Sequence, residues 1–134
     1  MTLILDASAM IALLRDEAGA QIVESALLDD EAVAYAHRFN VVEVFYNFHR
    51  GEGEAAAQTA LEQLSNIGLQ VVDDLSANLW QDAARLKSHW RRVSLPDCFG
   101  LALTRQLSGE FLTSDRHELE PIEAAGVTNI TFIR

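Results

Sequence analysis

The feature that most constrains this chain is an alternation of short β-prone runs with longer helical ones. Thr2–Leu5 is apolar and β-prone, and Ser8–Arg15 then has helical spacing with Ser8 placed to cap it. Ala20–Leu28 is helical, residues 29–31 form an acidic turn, and Ala32–Ala36 is a second strand. Phe39–Arg50 is helical and stops at Gly51; Glu54–Ile67 is helical and stops at Gly68. Leu69–Val72 is a third strand, followed by a helix over Ser76–Arg91 with Leu79, Ala83, Leu86 and Trp90 on one stripe. Leu95–Leu107 carries Pro96 in its first turn, where a missing N–H costs nothing. Phe111 and Leu112 begin a fourth strand, Glu118–Ala125 is a short helix closed by Gly126, and Asn129–Ile133 is a fifth strand. Strands separated by helices require parallel crossovers, which predicts an α/β class and a three-layer α/β/α sandwich. In such sheets ligands bind outside the carboxyl ends of the strands.

Those ends carry acids. Asp6 follows the first strand directly, and Asp115 follows the fourth in Leu112-Thr113-Ser114-Asp115. Glu43 lies on a narrow polar stripe with Asn40, Asn47 and Arg50, on a helix otherwise lined by Val41, Val44, Phe45 and Phe48. A buried carboxylate on such a helix is costly unless it is paired or metal-bound. Asp97 falls in the first turn after Pro96, on a face that continues through Gly100, Leu101 and Thr104. A glycine in a helix interior costs about 1 kcal/mol against alanine, so something is expected to approach Gly100 closely. Carboxylates gathered in one crevice repel each other and call for a cation. Oxygen donors without histidine or cysteine favour Mg²⁺ or Mn²⁺ over zinc, and such ions suit phosphodiester hydrolysis. Nothing in the spacing alone brings the four acids together.

Composition bounds the rest. At 134 residues the chain has the length of one domain, 1–134, and with 49% hydrophobic residues it needs no disulfide to build a core. A single cysteine, Cys98, excludes an internal disulfide. The apolar start lacks a basic n-region and is interrupted by Asp6, and no apolar run approaches the roughly 18 residues of a membrane span, so a reducing, cytoplasmic location and no membrane partner are expected. Twenty acids against ten bases give a net charge of −10, which argues against a polyanionic partner. That objection weakens if several acids hold divalent cations.

The chain resembles the PIN domain, in particular the VapC-type toxins of bacterial toxin–antitoxin pairs. Leu3-Ile4-Leu5-Asp6-Ala7-Ser8 is similar to the family's first motif, and Asn40–Tyr46 to its second, carried by Glu43. Leu95-Pro96-Asp97 before an apolar helix resembles the third, and Leu112-Thr113-Ser114-Asp115 the fourth. The tail from Glu118 to Arg134 is similar to the last helix and strand. The resemblance implies a five-stranded parallel sheet of order 3-2-1-4-5 and a Mg²⁺- or Mn²⁺-dependent ribonuclease. It also implies a homodimer inhibited by a small antitoxin protein. Asp6, Glu43, Asp97 and Asp115 would be the catalytic and metal-holding residues, with Ser8, Thr113 and Ser114 in support. His37-Arg38 departs from the small or apolar residues usual before the second motif.

Plainer readings stand beside these. Asp6 and Asp97 suit helix N-termini, Glu43 suits a salt bridge, and Asp73-Asp74 with Ser76 suits a cap on the following helix. Glu118 and Glu120 rival Asp115 but fall in the next helix. Cys98 has no evident histidine partner. Arg50, Arg91, Arg92 and Arg116 are candidates for phosphate contact, His117 for an acid or base, and Trp80 for core or dimer interface. The apolar side chains of the first two helices, Met10, Ile11, Leu14, Ile22 and Val23, divide between core and an antitoxin groove. Competing functions are a catalytically silent PIN-like interaction module and a receiver-type signalling domain. A receiver would use Asp73 or Asp74 as phosphoacceptor and needs an acidic pair where strand 1 ends in the single Asp6.

Overall fold

A computed structural model describes residues 1–134. Its elements are β1 (Thr2–Leu5), α1 (Ala7–Arg15), α2 (Ala20–Leu27), β2 (Val33–His37), α3 (Arg38–Glu52), α4 (Glu54–Asn66), β3 (Gln70–Val72), α5 (Ala77–His89), α6 (Leu95–Leu107), β4 (Glu110–Thr113), α7 (Arg116–Ala124) and β5 (Ile130–Phe132). The sheet has the order β3-β2-β1-β4-β5 and every pairing is parallel. No helix is long and apolar enough to cross a membrane.

Both faces of the sheet are covered, so its central strands are apolar runs rather than alternating ones. Leu3 and Leu5 pack with Leu112 and the helices α1, α3 and α4, while Ile4 and Phe111 pack with α5, α6 and α7. This is the period-two geometry of a strand feeding two cores. The register pairs Leu5 with Leu112, and Asp6 N–H continues the ladder to the Leu112 carbonyl at 3.1 Å. Asp6 and Thr113 therefore leave the sheet side by side, at the carboxyl edge.

Local chemistry moved several boundaries. Asp6, not Ser8, caps α1: its Oδ1 accepts the Ala9 N–H at 2.9 Å. Helix α3 runs through Gly51 to Glu52 and ends at Gly53, whose φ of 94° suits glycine. Helix α7 starts at Arg116, because Asp115 caps it by accepting the Glu118 N–H. Ser76 precedes α5 without making a side-chain cap bond. Instead Asp74 Oδ1 accepts the Ser76 N–H at 2.7 Å, and Asp73 pairs with Arg38.

These contacts also explain residues 37 and 38. His37 is fully buried, caps α3 by accepting the Phe39 N–H on Nδ1, and donates from Nε2 to the Asp74 carbonyl at 2.9 Å. It and Arg38 tie the segment after β3 to the start of α3. The same contacts do not fit a receiver domain. Asp73 and Asp74 are engaged in local bonds, and receivers have the sheet order 2-1-3-4-5 rather than this one.

Candidate active site

Asp6 and Asp115 cap the helices that follow β1 and β4, Glu43 lies in the second turn of α3 and Asp97 in the first turn of α6. Asp6 is 2% exposed. Its Oδ1 accepts from Ser8 Oγ at 2.6 Å as well as from Ala9 N–H, and its Oδ2 accepts from Thr113 Oγ1 at 2.6 Å. Thr113 Oγ1 in turn accepts the Asp115 N–H at 3.0 Å, and Ser8 Oγ accepts the Ser114 N–H at 2.9 Å. Ser8, Thr113 and the Ser114 amide thus staple the end of β1 to the end of β4. Ser114 contributes through its backbone; its hydroxyl makes no hydrogen bond.

Asp97 is 8% exposed in the first turn of α6, where its N–H donates to the cap Ser94 Oγ. Burial pushes its carboxyl up to about 9, and the charges of Asp6, Glu43 and Asp115 push the same way. Asp6 is also raised, chiefly by burial, against the lowering effect of its hydrogen bonds from Ser8, Thr113 and the Ala9 N–H. Glu43 is half-buried and raised by desolvation and by Asp6. Asp97 therefore sits where the fields of the other three acids converge. None of the four forms a salt bridge.

One residue that sequence reasoning passed over organises this edge. Asn40 is completely buried, accepts the Ala7 N–H on Oδ1 at 3.2 Å and donates from Nδ2 to the Pro96 carbonyl at 3.0 Å. It links the residue after Asp6 to the residue before Asp97, from the helix that carries Glu43. Its signal was its place one turn before Glu43 on the polar stripe of an apolar helix. Gly100 answers to the same packing. A Cβ there would stand 2.5 Å from the Phe111 ring and 3.3 Å from Asn40 Nδ2.

The other candidates separate cleanly. Cys98 is buried with its thiol pushed up to about 11, chiefly by desolvation, which makes it a core residue rather than a nucleophile. Glu120 is exposed beside Arg116, and Glu118 lends its N–H to Asp115. Met10 and Val23 belong wholly to the core. Of the others, Leu14 opens onto a groove of about 600 Å³ that Leu13, Leu27, Leu28 and Ile67 also line, whereas Ile11 packs partly on the core and Ile22 is exposed outside the groove. Trp80 is 45% exposed, and Trp90 is half-buried against the α5–α6 core.

No group of three or more acidic, histidine or cysteine side chains is placed to hold a metal ion together. The donor set still fits a hard divalent cation. Mg²⁺ keeps several of its waters and takes one or two carboxylates rather than a full protein cage. Asp6 supplies a carboxylate fixed by hydrogen bonds and Asp97 a buried one beside its charge, and no basic side chain pairs with either.

The PIN domain family profile matches residues 3–122, most of the chain. The chain belongs to the PIN domain family. Solved structures agree on the fold of this PIN domain. DNA-bound VapBC from Salmonella typhimurium superposes with a TM-score of 0.76 at 13% identity, covering 100% of this chain and 99% of that one. A toxin–antitoxin complex from Klebsiella pneumoniae gives 0.74 at 16% identity, covering 98% of each. VapC20 from Mycobacterium tuberculosis, a sarcin-ricin loop cleaving toxin, gives 0.72 at 18% identity, covering 92% of this chain and 95% of that one. No curated protein sequence matches the chain.

Proposed function

We propose that this PIN domain is a Mg²⁺- or Mn²⁺-dependent ribonuclease acting as the cytoplasmic toxin of a toxin–antitoxin pair. The observation that carries the reading is the buried Asp6–Asp97 pair, within the fields of Glu43 and Asp115 and without a cation of the chain's own. A fold gains nothing from four mutually repelling acids at one sheet edge, whereas a metal site does.

A bound divalent ion supplies positive charge to the phosphate oxygens and acidifies water near the scissile bond. The chain's own residues prepare for that. Ser8, Thr113 and Ala9 N–H fix both oxygens of Asp6, so its carboxylate does not rotate. Asn40 fixes the backbone on either side of the crevice, at Ala7 and at Pro96. Asp97, its carboxyl raised to about 9, would give up its proton on holding a cation. Asp115 and Glu43, both half-buried, remain open to solvent and substrate.

The relatives named above support the toxin assignment, and the apolar groove between α1, α2 and α4 suits an antitoxin segment. A homodimer belongs to the same reading. The test is cleavage of RNA by purified protein with Mg²⁺, Mn²⁺ or EDTA, alongside Asp6→Ala, Glu43→Ala, Asp97→Ala and Asp115→Ala. Metal-dependent cutting by the wild type and loss of most activity in each folded variant is the expected result. Metal-independent cutting, or full activity in a variant, removes the metal or that residue from the site.

A further inference from the structure

Beside the carboxylates lies a cleft of about 460 Å³ whose lining includes His89, Trp90, Arg91, Arg92, His117 and Glu118. Its walls are the segments that carry two of the acids. One wall is the α5–α6 connection, which ends at Ser94, the residue whose Oγ holds the Asp97 N–H. The other is the first turn of α7, where the Glu118 N–H donates to Asp115 Oδ1.

The cleft's charge runs against that of the molecule. In a chain of net charge −10, none of the five ion pairs involves His89, Arg91, Arg92 or His117. All four are exposed, and Glu118, half-buried, is the one carboxylate in the lining. Lys87 is committed elsewhere: its Nζ donates to the carbonyls of Arg91 and Val93 at 2.9 and 2.7 Å, which holds the connection in shape. Trp90 packs partly on the core and stands edge-on to His89, with 4.8 Å between ring centroids. The rest of its surface lines the cleft. Solvated arginines need neither a concavity nor a neighbouring indole. Cations spaced along a groove with an aromatic platform are what a flexible nucleic-acid strand requires.

We propose that this cleft holds the unpaired RNA strand next to the scissile phosphate, with Arg91 and Arg92 on its backbone and Trp90 against a base. The assignment rests on the ribonuclease reading and adds to it the residues that hold the strand, with the condition that a base reaches Trp90 only when unpaired. It also resolves the charge objection, because the phosphates meet local cations and the metal rather than the acidic remainder of the surface.

The test is steady-state cleavage of an unstructured RNA oligonucleotide at fixed Mg²⁺ across a KCl series. Arg91→Ala/Arg92→Ala is expected to raise KM about tenfold with kcat within twofold. Its log KM against log salt should be shallower by about 1.4, at 0.7 for each lost single-strand phosphate contact. Trp90→Leu is expected to raise KM fivefold or more, and Trp90→Phe to restore it, since stacking needs only an aromatic face. In Trp80→Phe protein, whose only indole is Trp90, the same RNA should quench fluorescence. Unchanged KM and salt slope in the arginine variant, while the wild type cuts RNA normally, overturns the cleft and leaves the ribonuclease standing. A loss confined to kcat, or RNA binding without quenching, overturns it likewise. Failure of the wild type to cut any RNA with metal removes the ribonuclease reading, and this one with it.

Discussion

At the scale of single residues, two buried polar groups set what this site tolerates. Asn40 satisfies the Ala7 N–H, an orphan donor in the first turn of α1, and adds a donor to the Pro96 carbonyl. Leaving a buried polar group unsatisfied costs about 1–3 kcal/mol. Asn40→Ala is therefore expected to lower the melting temperature by several degrees and to reduce RNA cleavage even where the protein is folded; unchanged melting and activity would show that the link is dispensable. Gly100→Ala is expected to destabilise by about 1–3 kcal/mol, because its Cβ would meet the fully buried Phe111 ring. Asp97 supplies a pH dependence. Its carboxyl is raised from 3.8 to about 9 in the folded chain and ionises near 3.8 when unfolded. The folded state then holds a proton that the unfolded state releases, so stability falls as pH rises through that window, by up to about 1.4 kcal/mol per pH unit. In EDTA the melting temperature should be higher at pH 5.5 than at pH 8, and Asp97→Asn should flatten the difference. Mg²⁺ should bind more tightly as pH rises, because it displaces that proton. A melting profile in EDTA that is level with pH, or equally steep in Asp97→Asn, contradicts the shift.

At the scale of elements, the alternation of apolar runs carried the number and order of strands and helices, and motif order singled out the four acids as candidates. Where the reading slipped, a local bond was the cause. Ser8 and Asp6 are both good caps, and only the Thr113 hydroxyl across the sheet shows why Asp6 takes the position and Ser8 serves it. Gly51 and Gly53 are equally plausible helix ends, and the choice falls to the one with positive φ. Asn40 was invisible as a link because its partners lie 33 and 56 residues away. Gly100 announced a close approach without saying that Phe111 makes it. The double duty of Asp6, cap and carboxylate, can be separated. Asparagine caps about as well as aspartate, while alanine loses about 1 kcal/mol. In EDTA, Asp6→Asn should melt near or above the wild type and Asp6→Ala below it, since only the first keeps the cap and both relieve repulsion. Both should lose most of the Mn²⁺-induced rise, which for one site at 100 times its dissociation constant is about 2.7 kcal/mol in wild type. A full Mn²⁺ rise in Asp6→Asn would place the cation away from Asp6.

At the scale of the whole molecule, the chain divides its surface by chemistry. The acids lie at the carboxyl edge, the unpaired cations of the α5–α6 connection lie beside them, and the apolar groove lies among α1, α2 and α4. A protein inhibitor docking in that groove would leave the carboxylates themselves anionic. It would therefore gain from extending an arginine to the acids, where a planar guanidinium can bond two carboxylates in place of the metal. Docking and neutralisation can then be broken apart from either side. Leu28 is 73% exposed on the groove, so Leu28→Asp should fold and cut RNA normally. It should weaken antitoxin binding by about tenfold or more, because a leucine's burial, about 1.5–3 kcal/mol, is replaced by a charge that must be desolvated. On the partner's side, replacing the arginine by alanine should weaken inhibition more than binding, because the groove contacts remain. Raising Mn²⁺ should relieve inhibition by the unaltered antitoxin and have less effect on the residual inhibition by the alanine variant. Binding and cleavage measured together across a Mn²⁺ series decide the matter. If the alanine variant inhibits fully at saturation and Mn²⁺ changes nothing, the inhibitor acts by covering the crevice rather than by substituting its charge. If Leu28→Asp binds as tightly as the wild type, the groove is not where the partner docks.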